Sequence, residues 1–314
     1  MAQTDYDIVV SGGGVAGLTA AAVFGSAGFS VLCVDPTPPV TARDADGSDL
    51  RTTAFLGWNL PNWLLRREMV AHLDSLPSVT FKPGTGTTTL FTREAEARVG
   101  LSDGASVRCR LVIAADGRNS PIRSAAGIDV KTTRYGQKAL AFAVTHPIPH
   151  DNVSTEIHRS GGPFTLVPLP DHDGQPSSAI VWMEEGPEVA RLAALPVPEF
   201  EAAMNARSCH LFGPLTLASR RTVWPIISQV AERMAAERVA LVAEAAHVVP
   251  PIGAQGLNMH FEVQARVTGI DLLNRASMLS AQPLRDARAQ ALSAIYSLAP
   301  VRKTLMQMGL GARG

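Results

Sequence analysis

The stretch Asp7–Asp35, DIVVSGGGVAGLTAAAVFGSAGFSVLCVD, decides the fold. A short apolar strand at Asp7–Val10 runs into Gly12, Gly14 and Gly17, spaced as G-x-G-x-x-G. An Ala- and Leu-rich helix follows over Leu18–Ala27, Gly28 can cap it, and a second strand, FSVLCVD, ends at Asp35. Strand, glycine turn, helix, strand and terminal acid in this order form a βαβ start suited to a dinucleotide. Gly12 allows the tight turn, Gly14 lets a pyrophosphate approach the backbone, and Gly17 lets helix and strand pack. Val15 and Ala16 stand between the last two glycines, at a helix N-terminus that favours phosphate charge. Asp35 can take a ribose hydroxyl pair. A glycine-rich turn with nothing bound is the plain alternative for the same residues.

The remainder of the chain must build around that start. With 314 residues, 46% of them hydrophobic, it has the length and composition of a packed globular protein. A formal net charge of zero gives no whole-chain case for nucleic-acid binding. Cys33, Cys109 and Cys209 are odd in number and have no metal or redox spacing, so a reduced, cytoplasmic protein without a metal site is expected. No signal-peptide pattern and no membrane-length apolar run are read.

Along the chain, Pro36–Leu50 reads as a loop and NWLLRREMVAHLDSL, within Trp58–Leu76, as an amphipathic helix. Val79–Phe81 and Thr87–Phe91 read as short strands. Arg98–Leu101 and Ser106–Arg110 read as a hairpin turning at Asp103-Gly104, and LVIAAD as a buried strand ending at Asp116. From Ala139 to Glu185, β-rich runs separated by Pro, Gly and Asp predict an antiparallel sheet in a second domain. Val197–Ala206 reads as a short helix and Arg220–Gln229 as a strand, and Arg238–Glu244 re-enters the first domain. Helices are expected over Val263–Leu279, Leu284–Leu298 and Val301–Gly309. The domain reading is 1–137 and 231–280 for the first domain, 138–230 for the second, and 281–314 for C-terminal helices.

A second informative stretch is Leu241–Asn258, LVAEAAHVVPPIGAQGLN. A buried strand runs into Glu244, then a Pro/Gly loop, then a helix start, a layout that brings bare backbone N–H groups to something flat and electron-rich.

GGGVAG, ADGRNSPIR and EAAHVVPPIGAQGLN stand in this order along the chain. The set resembles the FAD-dependent aromatic hydroxylases of the para-hydroxybenzoate hydroxylase type, the class A flavoprotein monooxygenases. Within them it is most similar to the ubiquinone-biosynthesis hydroxylase family. The resemblance implies an α/β fold: a Rossmann-like FAD-binding domain, an inserted substrate domain built on a mainly antiparallel sheet, and C-terminal helices. It implies that Gly12, Gly14 and Gly17 form the ADP-binding turn, Asp35 holds the adenosine ribose, and Arg51 lies on the flavin side. Arg66, Asp116 and Gly117 fall near FAD, and Asp116-Gly117 also helps receive the pyridine nucleotide. Glu244 stands where the family has an Asp at the ribitol. Pro251, Gly253, Gly256, Leu257 and Asn258 match the loop beside the isoalloxazine ring, with Pro251, Gly253 and Gly256 on its reactive side. No side chain is assigned as a catalytic base.

Three departures accompany the match. Glu244 adds a methylene to the usual Asp and shifts the acceptor oxygens by about a bond length, which a bridging water can span. Leu56 runs straight into Gly57-Trp58, and Met259 into His260-Phe261, where the resemblance implies further residues. Two internal segments of the family pattern are therefore expected to be missing at these junctions. The short run RTTAFLGWNLP agrees, since a parallel crossover takes a dozen or more residues.

The resemblance implies an FAD-dependent monooxygenase consuming NADPH or NADH and O₂. It would hydroxylate the ring of a polyprenyl-phenol in ubiquinone biosynthesis through a flavin C4a-hydroperoxide. A hydroxylase of another aromatic compound and a non-catalytic flavoprotein scaffold of a biosynthetic complex are the alternatives, and a simple NAD dehydrogenase is a third. His247 reads as structural before catalytic, and Pro147 and Pro149 break any helical His146–His150 metal pair. Phe142, Trp182 and Trp224 can line an apolar pocket or pack a core. The C-terminal PVRKTLMQMGLGARG suits a membrane surface, at the inner face of the cytoplasmic membrane, as well as an ordinary packed helix.

Overall fold

A computed structural model describes residues 4–38, 52–55, 58–159 and 161–252, together with 270, 271, 274, 275, 278, 286 and 290. In chain order it contains β1 (Thr4–Ser11), α1 (Val15–Ser26), β2 (Val31–Asp35), β3 (Thr52–Phe55), β4 (Trp58–Pro61), α2 (Asn62–Asp74) and β5 (Val79–Pro83). Then come β6 (Thr87–Thr92), β7 (Ala97–Leu101), β8 (Ser106–Ala114), α3 (Pro121–Ala125), β9 (Val130–Thr145), β10 (Thr155–His158), β11 (Pro163–His172) and β12 (Gln175–Glu185). The last are α4 (Gly186–Ala194), α5 (Val197–Arg207), β13 (Thr216–Leu217), β14 (Thr222–Ala231), β15 (Ala235–Ala236), β16 (Val239–Leu241), a 3₁₀ turn at Ala243–Ala245, and β17 (His247–Val248). The chain divides into two compact units. The first takes 1–43, 62–133 and 228–248; the second takes 44–61, 134–227 and 249–314.

The first unit is built on a sheet in the order β15-β16-β8-β1-β2-β5, with β7 and β6 added antiparallel beside β8. β16, β8, β1, β2 and β5 run parallel. Strand order reverses between β1 and β8, so the crevice at their carboxyl ends is the topological switch point of a doubly wound sheet. Both faces of the sheet are covered, which is why β1 and β2 read as apolar runs. Ile8, Val10, Val31 and Cys33 pack with Leu18 of α1 and Leu73 of α2. Val9, Leu32, Val34 and Val112 pack on the opposite side with Val99, Leu101 and Ile122.

Three details differ from the sequence reading. Ser106–Ala114 is one strand: its first half pairs antiparallel with β7 and its second half enters the parallel sheet. Trp58–Pro61 is a strand paired with Thr52–Phe55, while the helix begins at Asn62, where the amphipathic pattern starts. The crossover from β2 to β5 then runs through α2, which supplies the length that RTTAFLGWNLP alone lacks.

The second unit contains the greater part of an antiparallel sheet, β10-β11-β12-β9-β14, with β13 paired to β9. Alternate residues face opposite sides. Leu140, Phe142, Val144, Phe164, Ile180 and Trp182 pack against Val189 and Leu192 of α4 and Phe200 and Met204 of α5. Phe142 and Trp182 are thus core, whereas Trp224 is 44% exposed. Of the C-terminal stretch, Ile270, Asp271, Asn274, Arg275, Met278, Asp286 and Gln290 are helical. Asn274 Nδ2 donates to Gln137 Oε1 at 2.9 Å and Tyr135 donates to Asp271, which fixes that helix on β9. Among the described residues no helix is long and apolar enough to cross a membrane.

Candidate cofactor site

At the switch point the glycine turn is pressed against the end of β8. A Cβ at Gly17 would stand 1.8 Å from the Gly12 carbonyl oxygen, and one at Gly12 would stand 2.3 Å from the Ala115 carbonyl oxygen. Gly14 differs: it is the N-cap of α1 with φ −72°, and nothing lies within 4 Å of where its Cβ would be. No side chain caps α1, so the first-turn N–H groups around Val15 and Ala16 have no capping side-chain acceptor. A tight turn that opens at one glycine, in front of uncapped amides, suits a pyrophosphate.

Asp35 closes one side. Its Oδ2 accepts from Gly13 N at 2.5 Å and its Oδ1 from Thr37 N at 2.7 Å, leaving lone pairs on both oxygens. Arg66, on α2, donates from Nε to the Gly13 carbonyl at 2.9 Å and stands 4.0 Å from Asp35. The helix therefore brings a cation to the same turn.

Asp116 closes the other side, one residue beyond Ala115. Its Oδ2 accepts from Ile122 N at 3.2 Å and Ser11 Oγ at 3.4 Å, while its Oδ1 is buried without a partner among the described residues. Burial holds its carboxyl above the usual carboxylate value, against the hydrogen bonds from Ser120, Ile122 and Ser11. Gly117 follows at φ +85°, and nothing lies within 4 Å of where its Cβ would be.

A raised carboxylate pKa has a definite sign. The native state holds that proton more tightly than the unfolded chain, so the contribution is fully present below 3.8 and is lost as pH rises through the folded value. Asp116→Asn is expected to stabilise the cofactor-free protein relative to wild type by an amount that grows as pH rises above 3.8. Parallel denaturant melts across pH check this; a difference that shrinks with rising pH contradicts it.

Glu244 lies in the 3₁₀ turn after β16, half exposed, and receives Arg118 from the loop after β8 at 3.2 and 3.3 Å. Arg123, 5% exposed, donates to the carbonyls of Ala245 and Arg118, both at 2.9 Å. It ties the Asp116 loop to the turn carrying Glu244. Arg118 and Arg123 both stand inside ADGRNSPIR, a motif whose resemblance points only to Asp116 and Gly117. Nothing local marks an arginine with a partner more than a hundred residues away.

His247 is buried in β17, opposite Val230. Pro251 is exposed and belongs to the second unit. Arg51, Gly253, Gly256, Leu257 and Asn258 lie outside the described residues. Among the described residues no His, Cys, Asp and Glu group could hold a metal ion.

The residues of the switch point fit FAD on three observations: an open glycine before uncapped amides, a carboxylate beside the turn with spare lone pairs, and a buried carboxylate oxygen without a partner among the described residues.

Comparison with known proteins bears on the same site. The family model described as FAD binding domain matches residues 43–262. Ubiquinone hydroxylase UbiL of Rhodospirillum rubrum is 35% identical over 203 residues, 65% of this chain and 46% of that protein. The mitochondrial ubiquinone biosynthesis monooxygenase COQ6 of Mus musculus is 25% identical over 278 residues, 66% of this chain and 57% of that protein. p-Nitrophenol 4-monooxygenase PnpA from Pseudomonas putida DLL-E4 superimposes with a TM-score of 0.75 at 16% identity, over 100% of both chains; at that identity the likeness is one of fold. The chain spans about half the length of the curated relatives it matches. The match to COQ6 runs over more positions than the two thirds of this chain it occupies, so COQ6 carries residues inside the matched span that this chain lacks.

Proposed function

The chain belongs to the FAD binding domain family, and we propose that it acts as an FAD-dependent monooxygenase hydroxylating the aromatic ring of a polyprenyl-phenol in ubiquinone biosynthesis. The observation that carries this reading is the pairing, at one switch point, of the glycine turn with the orphaned Asp116 carboxylate oxygen. The names of the ubiquinone hydroxylase relatives support the pathway.

In this proposal the Gly12–Gly17 turn and the α1 amides of Val15 and Ala16 receive the pyrophosphate, and Asp35 the adenosine ribose. Arg66 supplies positive charge on the adenosine side. Asp116 and Gly117 border the cofactor, and Glu244, held by Arg118, reaches toward the ribitol. Arg51 and the loop of Pro251, Gly253, Gly256, Leu257 and Asn258 serve the flavin end. When bound and reduced by NADPH or NADH, FAD would supply the activation of O₂, one oxygen atom going to the ring and the other leaving as water. The protein's share is to orient the cofactor, exclude water and hold the phenol. An apolar prenyl chain makes encounter at the inner face of the cytoplasmic membrane part of the proposal, with other ubiquinone-biosynthesis proteins as neighbours.

Quinone profiling of a deletion strain tests the assignment. A prenylated intermediate lacking one ring hydroxyl is expected to accumulate and to disappear on complementation. Unchanged quinones contradict the assignment. The second reading is a flavoprotein that binds FAD without completing the reaction. It predicts a yellow protein whose NADPH oxidation does not respond to phenols.

A further inference from the structure

Two arginines join the same two segments of the first unit, one buried and one at the surface. Arg123 donates from Nη1 to the Ala245 carbonyl and from Nη2 to the Arg118 carbonyl, both at 2.9 Å. One buried guanidinium therefore sets the spacing between the backbone of Arg118 and the turn that carries Glu244. The turn is held in its own right: Val242 N donates to the Ala114 carbonyl at 2.9 Å, and Ala245 N to the Val242 carbonyl at 3.2 Å. On this base the Arg118 side chain donates from Nε to Glu244 Oε2 at 3.2 Å and from Nη2 to Glu244 Oε1 at 3.3 Å.

The Glu244 side chain is 52% exposed, and a glutamate that far in water samples several rotamers unless something holds it. A two-point guanidinium fork leaves it one orientation. Each carboxylate oxygen accepts one N–H from Arg118 and keeps a lone pair for a hydroxyl donor. The fork also needs the full length of the glutamate. Its bonds are already longer than the roughly 2.8 Å usual for a charged pair. Aspartate would draw the carboxylate back by about 1.5 Å, one C–C bond, while Arg123 keeps the backbones apart. A shorter acid has one fewer rotatable bond and less need of a partner to hold it.

We infer that Arg118 is a positioning residue for the cofactor, and that Arg118 and Glu244 act as one unit: the guanidinium holds the longer acid in the orientation that offers its free lone pairs to the ribitol hydroxyls of FAD. The inference rests on the proposed cofactor reading for the ligand. It adds Arg118 to the machinery and gives the extra methylene of Glu244 a physical reason. The competing description is an ordinary surface ion pair, which contributes little to stability and has no bearing on the cofactor.

The test is a double-mutant cycle on FAD affinity, measured by titration of the full, cofactor-free chain. Arg118→Gln is expected to weaken FAD about tenfold in the Glu244 protein, the upper range for a ligand that must itself immobilise a flexible side chain. In the Glu244→Asp protein the same change is expected to weaken FAD by no more than about threefold. Any general attraction between the Arg118 charge and the cofactor phosphates enters both arms, so the difference between them isolates the pair. Arg118→Lys, which keeps the charge without the fork, is expected to recover only part of the loss. The melting temperature of cofactor-free Arg118→Gln is expected to stay within about 2 °C of wild type, because an exposed pair contributes little to folding. Equal losses in the Glu244 and Glu244→Asp proteins, full recovery by Arg118→Lys, or a fall in melting temperature that accounts for the lost affinity overturns the inference. A chain that binds no FAD overturns this inference and the monooxygenase reading together. Coupling between Arg118 and Glu244 without hydroxylated product supports the inference and contradicts the monooxygenase reading; hydroxylated product without that coupling does the reverse.

Discussion

Gly17→Ala is expected to destabilise the first unit severely, whereas Gly14→Ala is expected to leave the fold and weaken FAD binding. The two glycines stand three residues apart in one turn, yet their surroundings are opposite. A methyl group at Gly17 meets the Gly12 carbonyl at 1.8 Å and the Ala115 Cβ at 3.2 Å. Both are held: Gly12 N donates to the Val34 carbonyl at 2.8 Å, and Ala115 N to the Ser11 carbonyl at 2.8 Å. Relief requires α1 to move off the sheet, which opens the packing of Leu18 against Ile8 and Val10. Overpacking of this kind costs about 1–3 kcal/mol when neighbours can yield and more when they are backbone. A loss of soluble protein, or a fall in melting temperature of more than about 10 °C, is expected, given that 1 kcal/mol shifts a domain by several degrees. Gly14→Ala adds its methyl to open space at an ordinary φ of −72°. The weaker N-cap costs about 1 kcal/mol at most. The methyl does, however, occupy the side on which a pyrophosphate would approach, so FAD affinity is expected to drop at least about tenfold. Thermal melts of the cofactor-free variants, paired with FAD titrations, separate the two. Equal effects from both substitutions contradict this account of the turn.

Arg123→Ala has the second-largest expected effect. Its guanidinium bonds the carbonyls of Ala245 and Arg118, and its charge faces Asp116. Truncation leaves two inward carbonyls without donors, at about 1–3 kcal/mol each, and removes the link between the Asp116 loop and the Glu244 turn. A loss of about 3 kcal/mol in denaturant unfolding is expected, within the range for breaking a buried polar network. FAD affinity falls with it, because Asp116 and Glu244 are no longer held in register. Lysine cannot fork to both carbonyls, so Arg123→Lys is expected to recover only part of the loss. Destabilisation below about 1 kcal/mol shows that the carbonyls find other partners.

The parts of the fold legible in the sequence were those whose cause is local. Gly12, Gly14, Gly17 and Asp35 announce a βαβ start because turn, helix and ribose acid all fall within one short segment. The Pro- and Gly-punctuated runs from Ala139 onward announce an antiparallel sheet for the same reason. The helix at Gly186–Ala194 was not legible: Gly186-Pro187 reads as a turn, although proline at the first helical position is also a start signal. Ser106–Ala114 was divided because antiparallel and parallel pairing meet within one strand, and periodicity does not report the partner. The crossover through α2 likewise depended on which strands become neighbours.

At the site, the acids and glycines could be named in advance but not the arginines. Arg66 was recognised through a family pattern, and the structure adds its bond to the Gly13 carbonyl. Arg118 and Arg123 act across 126 and 122 residues, and that separation leaves no mark in spacing. The same limit applied to Phe142, Trp182 and Trp224. Which of them is core depends on the sheet face, and that became fixed only through the pairing of Trp182 with Leu140.

The most direct test of the central claim is isotopic. FAD-loaded protein is supplied with NADPH or NADH and a 2-prenylphenol under ¹⁸O₂, and the product mass is measured. The account predicts a ring-hydroxylated phenol carrying one ¹⁸O atom, formed only when FAD is bound. NAD(P)H oxidation that yields no labelled phenol, or a chain that does not retain FAD, contradicts it.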